Sequence, residues 1–300
     1  MMPTPCPPPT PAAFFIGCAV WGYKGWLGDL FPAGSKQPDL LRLYSRRLTT
    51  VEGNTTFYAT PTRDTVRRWE QETPPDFRFC WKLPRNVSHS GSLSRQFGLT
   101  LAFVERMAMA DQRTAPFFLQ LPPSYSPQQL PDLAGWLAAW VAQLQPYQIA
   151  VEVRHPAWYA APAEAALMEL LEQHGAGRVL MDVRPIRQLE AQPSATLEDA
   201  RERKPDVPLH PLHSGGFTLL RYIGHPDPDQ NTVWLDEWAT RLATWLQAGI
   251  TVYAFMHCPD ESRSPALCRM LYARLAERVS LPPLAWASHP PELPQQQTLF

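Results

Sequence analysis

The chain has 300 residues, of which 45% are apolar, and its 27 lysines and arginines face 28 aspartates and glutamates for a net charge of −1. This length and composition allow one large domain with a sizeable core. The balanced charge excludes a global positive field that would hold a polyanion, so any contact with nucleic acid must use local basic groups. No run of about 18 apolar residues occurs, so we expect no membrane span.

The cysteines and the N-terminus indicate the compartment. The five cysteines are Cys6, Cys18, Cys80, Cys258 and Cys268. Their odd number and the lack of CxxC spacing argue against a disulfide framework or a zinc knuckle. Residues 1–13 are rich in proline and lack the basic region and apolar core of a secretory signal. We therefore predict a cytoplasmic protein.

Eight short runs rich in β-branched and aromatic residues follow one another along the chain. Most of them are continuous rather than alternating, which is typical of strands that are covered on both faces. The predicted strands span residues 14–20, 49–54, 78–83, 117–121, 148–154, 177–183, 217–223 and 251–257.

Helical patterns lie between most of these runs. The clearest spans residues 130–144, where apolar side chains recur at three-, four- and seven-residue spacing, and residues 235–246 repeat it. Weaker stripes follow strands one, two, three, five and eight. Alternating strands and helices predict a parallel sheet with right-handed crossovers. Eight such units predict a single (β/α)8 TIM-type barrel. An open doubly wound sheet is the alternative, although no glycine-rich phosphate loop follows any strand.

One unit departs from the pattern, and both ends of the chain differ from its middle. Residues 184–216, after strand six, are rich in proline and show no convincing helical stripe. A loop of this length is usually a lid or a mobile insertion, and a solvated excursion is an equal alternative. We predict a proline-rich tail at 1–13, the barrel at 14–279 and a second proline-rich tail at 280–300.

Polar side chains gather at the C-terminal ends of the predicted strands, where the active sites of β/α barrels lie. Because side chains alternate along a strand, Glu52 and Asn54 share one face, as do Glu152 and Arg154. We expect both carboxylates to point toward the barrel axis, where buried charges need partners. The candidate residues at the strand ends are Glu52, Asn54, Lys82, Gln120, Glu152, Arg154, His155, Asp182, Arg221 and His257.

The acidic residues are the first candidates for catalysis. Glu52, Glu152 and Asp182 could act as general acids and bases across a barrel mouth. Together with His257 they could instead hold a divalent metal, although the neighbouring cations make this the weaker alternative. No other cofactor is indicated. The purely structural interpretation is that these charged side chains form ion pairs with one another at the barrel mouth and have no role in catalysis.

The basic and aromatic residues suggest the substrate. Lys82 completes the candidate catalytic set, either as a Schiff-base lysine or as a phosphate-binding one. Arg154 and Arg221 suit an anionic group bound through two hydrogen bonds. Trp21 and Tyr58 follow strands one and two, where their rings could stack on a sugar or a base or simply pack against loops.

Six motifs occur in order along the chain. They are VEGNTTFYATP at 51–61, WKLPRNVSH at 81–89, LQLPPSY at 119–125, VEVRHPAW at 151–158, LLRYIG at 219–224 and VYAFMH at 252–257. From about residue 15 to 278 this series resembles the YecE-like family, domain of unknown function 72. The resemblance implies a β/α barrel and does not assign a reaction.

The resemblance also implies which positions belong to the family's motifs. They correspond here to Glu52, Asn54, Phe57, Tyr58, Lys82, His89, Gln120, Glu152, Arg154, His155, Asp182 and Arg221. We include His89 among the candidate substrate-binding residues for this reason. Many members carry asparagine near the end of strand eight, where this chain has His257, and this departure weakens an essential role for that histidine.

The C-terminus suggests a partner. Gln296, Leu299 and Phe300 form a QxxLF-like peptide behind a proline-rich arm. The peptide is similar to those by which bacterial replication and repair proteins dock on the DNA sliding clamp. Tethering of this kind would raise the local concentration near DNA without a basic surface.

Three functions remain open from the sequence. The favoured one is an enzyme, a hydrolase or lyase by preference, that acts on an anionic, phosphate-bearing substrate, with nucleic acid as one substrate of this class. The second is a carbohydrate isomerase, lyase or hydrolase with an aromatic rim. The third is a non-catalytic binding module recruited to the sliding clamp.

Overall fold

The computed structural model describes residues 12–187 and 195–288. Eight strands lie within the eight predicted runs, which confirms the prediction of the strands. They are β1 Phe14–Cys18, β2 Thr50–Gly53, β3 Arg78–Trp81, β4 Phe117–Gln120, β5 Ile149–Glu152, β6 Gly177–Asp182, β7 Phe217–Ile223 and β8 Thr251–His257.

The α-helices lie mainly between the strands, at the predicted places. They are α1 Leu40–Ser45, α2 Arg63–Glu72, α3 Arg85–Ser88, α4 Phe97–Met107, α5 Leu130–Leu144, α6 Ala161–Gln173, α7 Arg184–Arg187, α8 Ala195–Arg203, α9 Thr232–Gln247 and α10 Ser264–Ala276.

The strands pair in parallel and form two sheets. Six strands follow the order β1-β8-β7-β6-β5-β4, and β2 pairs with β3. Backbone hydrogen bonds connect the small sheet to both edges of the large one. The Thr49 N–H donates to the Ile16 carbonyl over 3.1 Å, and the Leu83 N–H donates to the Phe118 carbonyl over 3.0 Å. A mixed α/β fold with a six-stranded parallel sheet is therefore confirmed.

The strands are buried on both faces, as the continuous apolar runs predicted. Side chains such as Leu119 and Leu220 pack in the core that includes the helices. Their neighbours Phe118 and Leu219 belong to a separate buried cluster with Phe255 on the opposite face. The candidate polar residues of the second face follow these apolar ones toward the C-terminal ends of the strands. The alternation of side chains along each strand therefore decides which polar groups can meet.

The segment after β6 corrects the sequence analysis. We expected no helix in residues 184–216, yet α7 and α8 both lie there. Leu197 and Ala200, three residues apart on α8, are buried in a small cluster with Met181, Ile186 and Ile223. Two apolar side chains are too few to give a visible stripe in the sequence, but they suffice to hold one short helix against the ends of β6 and β7.

Some predictions concern residues outside the described part of the chain. Gln296, Leu299 and Phe300 lie outside the described residues, as does nearly all of the predicted N-terminal tail, so the tail boundaries stay predictions. Within residues 12–187 and 195–288, no helix is both long and apolar enough to cross a membrane.

Candidate functional site

Arg221 is the centre of the polar cluster at the C-terminal ends of the strands. Its Nε and Nη2 both donate to the Glu52 carboxylate, each over 2.8 Å. Its Nη1 donates to Glu152 Oε2 over 2.6 Å. All three side chains are almost completely buried. Strands β2, β5 and β7 thus bring two carboxylates onto one guanidinium, as the alternation argument predicted for Glu52 and Glu152.

The network continues from Glu152 to β4. Arg154 Nε donates to Glu152 Oε1 over 2.6 Å, and its Nη2 donates to Gln120 Oε1 over 2.7 Å. On the other side, His257 Nε2 lies 3.0 Å from Glu52 Oε2. An ionised carboxylate can only accept, so this histidine nitrogen carries the proton. Every oxygen of Glu52 and Glu152 therefore has a nitrogen partner.

The network keeps both carboxylates ionised. Burial alone would raise their pKa values. The nearby Arg221 and His257 outweigh burial at Glu52 and hold its pKa well below the usual range. At Glu152, Arg154 and Arg221 outweigh burial and lower the pKa to about 2. Burial dominates at His257 and lowers its pKa to about 4, so the imidazole is neutral at pH 7.

Lys82 is the unusual charge of the site. The residue comes directly after β3, and its buried side chain places Nζ 4.2 Å from the centre of the Phe57 ring. No described carboxylate forms an ion pair with it. Burial, reinforced by the charge of Arg221, lowers its pKa to about 7. At neutral pH this amine can therefore both accept and donate a proton.

A cavity of about 630 Å³ opens above this network, and we call it the mouth cavity. Among the predicted site residues, seven line it besides the aromatic rim. The described lining residues are Asn54, Phe57, Tyr58, Lys82, Arg85, His89, Gln120, Arg154, Asp199, Ala200, Arg203, Lys204, Arg221, His257 and Pro259. These seven are Asn54, Lys82, His89, Gln120, Arg154, Arg221 and His257, and their roles in binding or catalysis stay predictions.

One side of the mouth cavity was missed by the sequence analysis. Asp199, Arg203 and Lys204 come from α8 and its C-terminal end, in the segment predicted to be a loop. Burial, with the charge of Arg221, lowers the Lys204 pKa to about 8. Its sequence context, a run of mixed charges, is typical of a solvated surface. The docking of α8 is what brings this lysine to the site.

Asp182 does not lie with the other candidates, and its predicted catalytic role is wrong in position. Both of its oxygens accept from Arg184, and Oδ2 also accepts from Trp238 Nε1 of α9 over 2.6 Å. In the register of β6 and β7, Met181 is the partner of Arg221. Met181 therefore shares the inner face, and Asp182 faces the helices.

The remaining candidates differ in how closely they approach the cavity. His155 accepts from the Ala157 N–H over 3.1 Å and so caps a helical turn, and it is not among the described residues that line the mouth cavity. Tyr58 lines the mouth cavity and is 83% exposed. His89 also lines it, and Ser88 Oγ lies 2.7 Å from its Nδ1. Trp21 lies against a neighbouring cavity that Glu52 and Asn54 also line.

The alternative metal set is not assembled. Within the described residues, no three or more His, Cys, Asp or Glu side chains are grouped to hold a metal ion. Asp182 faces away, and the oxygens of Glu52 and Glu152 are all engaged by nitrogen donors. A metal ion would have to displace Arg221 from both carboxylates.

The fold is similar to solved structures. A crystal structure of a DUF72 family protein from Enterococcus faecalis matches with a TM-score of 0.62 at 14% identity, covering 90% of this chain and 99% of that one. A DUF72 family protein from Thermotoga maritima matches with a TM-score of 0.61 at 19% identity, covering 88% of this chain and 99% of that one. At these identities the likeness shows the fold alone.

Sequence comparison supplies the family. The chain is 35% identical over 288 residues to the UPF0759 protein YecE of two Escherichia coli strains, which covers 95% of this chain and 99% of the relative. A family model described as "Protein of unknown function DUF72" matches residues 15–295. The resemblance found in the six motifs is thereby confirmed, and the chain belongs to the DUF72 family.

Proposed function

We propose that this chain is an enzyme that acts on a phosphate-bearing substrate in the mouth of a closed (β/α)8 barrel. Closure is supported by the pairing of the first strand with the last and by the hydrogen bonds that join β2 and β3 to both edges of the larger sheet. The order β1-β8-β7-β6-β5-β4 also lacks the reversal of strand order that marks a doubly wound sheet.

The excess of positive charge in the mouth cavity carries the proposal. Arg221 and Arg154 are balanced by Glu52 and Glu152, and Arg203 pairs with Asp199. Lys82, Lys204 and Arg85 also line the cavity, and none of them forms an ion pair with a described carboxylate. A phosphate group in this space would offer these cations the partner that the protein does not.

The geometry suggests a division of roles. Glu52 and Glu152 are fully paired and remain ionised, so they orient the arginines and do not transfer protons at neutral pH. Arg154, with Lys204, would hold the anion. Lys82, with its pKa of about 7, is the candidate for proton transfer in a hydrolase or lyase reaction.

Sulfate binding at pH 6 and pH 9 tests whether the cations of the mouth cavity hold an anion, because sulfate itself keeps its charge between these pH values. Lys82 and Lys204 have pKa values of about 7 and 8, so they are protonated at pH 6 and mostly neutral at pH 9. We expect isothermal titration calorimetry to show affinity at least about tenfold higher at pH 6. Lys82→Met should reduce the change, because only Lys204 of the two still titrates in this range, and the exposed-site control Lys36→Met should keep it in full.

Turnover is tested separately by ³¹P NMR of phosphomonoesters and phosphodiesters incubated with the protein. New phosphorus signals that Lys82→Met abolishes would support an enzyme. Sulfate affinity that is the same at both pH values would contradict the role of the lysines. A phosphate ester that binds in the mouth cavity but returns unchanged would favour the non-catalytic module instead.

Three further expectations stay predictions. Docking of the C-terminal peptide on a sliding clamp rests on residues outside the described part of the chain. The cytoplasmic location agrees with the free thiols of Cys18, Cys80, Cys258 and Cys268. A carbohydrate substrate is not favoured by a wall so rich in lysine and arginine.

A further inference from the structure

A second cavity adjoins the mouth cavity on the side of β1. It has a volume of about 330 Å³ and we call it the Trp21 cavity. The described residues that line it are Ala19, Val20, Trp21, Gly22, Tyr23, Gln37, Glu52, Asn54 and Thr55. Asn54 lines both cavities, so the two spaces share a wall.

The walls of the two cavities carry opposite chemistry. The mouth cavity is lined by lysines and arginines. The described wall of the Trp21 cavity contains neither, and its only charge is the Glu52 carboxylate. Since Glu52 is already paired with Arg221, this wall offers no free cation to an anionic group, whereas an uncharged group would contact apolar and aromatic side chains.

The aromatic side chains are held in place by packing. Trp21 meets the rings of Trp69 and Phe79 nearly edge-on, with centroids 5.1 and 6.2 Å apart. Tyr23 contacts Trp26 in the same manner at 5.6 Å. Rings fixed in this way offer a surface for a planar group at little cost in side-chain entropy. Gln37 Nε2 already donates to the Gly22 carbonyl over 3.4 Å and Asn54 Nδ2 to the Ala19 carbonyl over 3.3 Å. The amide oxygen and the second N–H of each side chain could still bond to the edge of such a group.

A third cavity, of about 400 Å³, shares Phe57, Tyr58, Arg85 and His89 with the mouth cavity and none of its described lining residues with the Trp21 cavity. Its other lining residues include Asn86 and Ser90, which together with Arg85 make it polar. This composition suits a solvated or charged group better than an apolar ring. The Trp21 cavity is therefore the better place for the uncharged part of a ligand.

We propose that the substrate carries a neutral planar ring beside its phosphate, as a nucleoside monophosphate does, and that the ring occupies the Trp21 cavity. This inference rests on the proposed function and narrows its substrate class. The mouth cavity and the Trp21 cavity, at about 630 and 330 Å³, together have the size of a site for one small molecule rather than for a long polymer.

Calorimetric titration with three probes tests the inference: adenosine 5′-monophosphate, uridine 5′-monophosphate and ribose 5-phosphate. We expect the better nucleotide to bind at least about tenfold more tightly than ribose 5-phosphate, since a base stacked on an aromatic side chain gains that much. Trp21→Ala should remove the difference while ribose 5-phosphate binding is retained. Tyr23→Ala, at a partly exposed position that does not threaten folding, should reduce it.

Tyr58→Ala is the matched comparison, because it removes a ring that lines the mouth cavity but not the Trp21 cavity. The ratio of nucleotide to ribose 5-phosphate affinity should stay unchanged in this variant. The assignment of the ring to the Trp21 cavity would be wrong if this ratio fell to about one in Tyr58→Ala but not in Trp21→Ala or Tyr23→Ala. Equal binding of all three probes to the wild type would contradict the proposed ring in the Trp21 cavity, while still supporting a phosphate site in the mouth cavity. Failure of sulfate and all three probes to bind would overturn the proposed function itself.

Discussion

At the scale of single residues, the site is organised by how each buried charge is paired. Arg221 satisfies two carboxylates at once, and this arrangement keeps Glu52 and Glu152 ionised without exposing them. Lys82 is the exception, since an amine buried beside Arg221 has no described carboxylate as an ion-pair partner. Removing a charged group from water costs free energy that only a partner can return. The protein therefore bears a cost at Lys82 that a bound anion would relieve.

Replacing Lys82 should stabilise the protein that has no ligand. Its folded-state pKa of about 7 lies below the value of about 10.4 expected when unfolded, so the unfolded chain binds more protons between these values. The penalty is complete below pH 7 and disappears as the pH rises toward 10.4. Lys82→Met should raise the free energy of unfolding at pH 6 by roughly 2–4 kcal/mol, and by much less near pH 10.

Urea denaturation at the two pH values measures this effect. Lys36→Met, at an exposed lysine, should change neither value. A loss of stability in Lys82→Met at pH 6 would mean that the lysine serves packing or an internal charge balance. In that case Lys82 would not be an unpaired cation awaiting a ligand.

At the scale of elements, α8 decides the shape and charge of the mouth cavity. It is held by Leu197 and Ala200 in a small apolar cluster that is separate from the main core. Elements with so little buried apolar surface open at low free energy without unfolding of the rest. The helix is therefore the part of the described wall best suited to move when a ligand enters.

Leu197→Ala should loosen α8 selectively. We expect faster amide hydrogen exchange in residues 195–203, a fall in sulfate affinity because Lys204 leaves the wall, and a nearly unchanged melting temperature. Val233→Ala, at a position that is 71% exposed on α9, is the control and should alter none of these. A large fall in melting temperature with unaltered exchange in α8 would show that this helix is part of the global folding unit.

At the scale of the whole molecule, the approach of β1 to β2 connects the two sheets. Gly17 lies on β1, and a Cβ atom added there would lie 1.8 Å from the Thr50 carbonyl oxygen and 2.8 Å from Tyr44 Oη. Tyr44 Oη also donates to this carbonyl and accepts from the Cys18 N–H. Only glycine fits at this crossing without displacement of the backbone.

Gly17→Ala should accordingly destabilise the protein by several kcal/mol, on the order of 3 or more, because the backbone of one strand must move. The matched control is Gly98→Ala in α4, where a Cβ atom meets nothing within 4 Å. Gly98 is the second residue of α4, so a Gly→Ala change there should stabilise by up to about 0.5 kcal/mol, less than in a helix interior. Thermal unfolding compares the two variants, and similar behaviour of both would argue against a tight contact between β1 and β2.

The sequence by itself determined the strands, most of the helices and the placement of Glu52 and Glu152 on the inner faces of their strands. These features depend on local periodicity, since the alternation of side chains along a strand is independent of its partners. The sequence could not show which face of β6 carries Asp182, because this strand is buried on both faces and its residues do not distinguish the two. Only tertiary structure decided that Asp182 bonds to α9, that His155 caps a turn, and that α8 brings Lys204 to the mouth. Those outcomes depend on register between strands and on the docking of a short helix, and neither leaves a periodic signal in the chain.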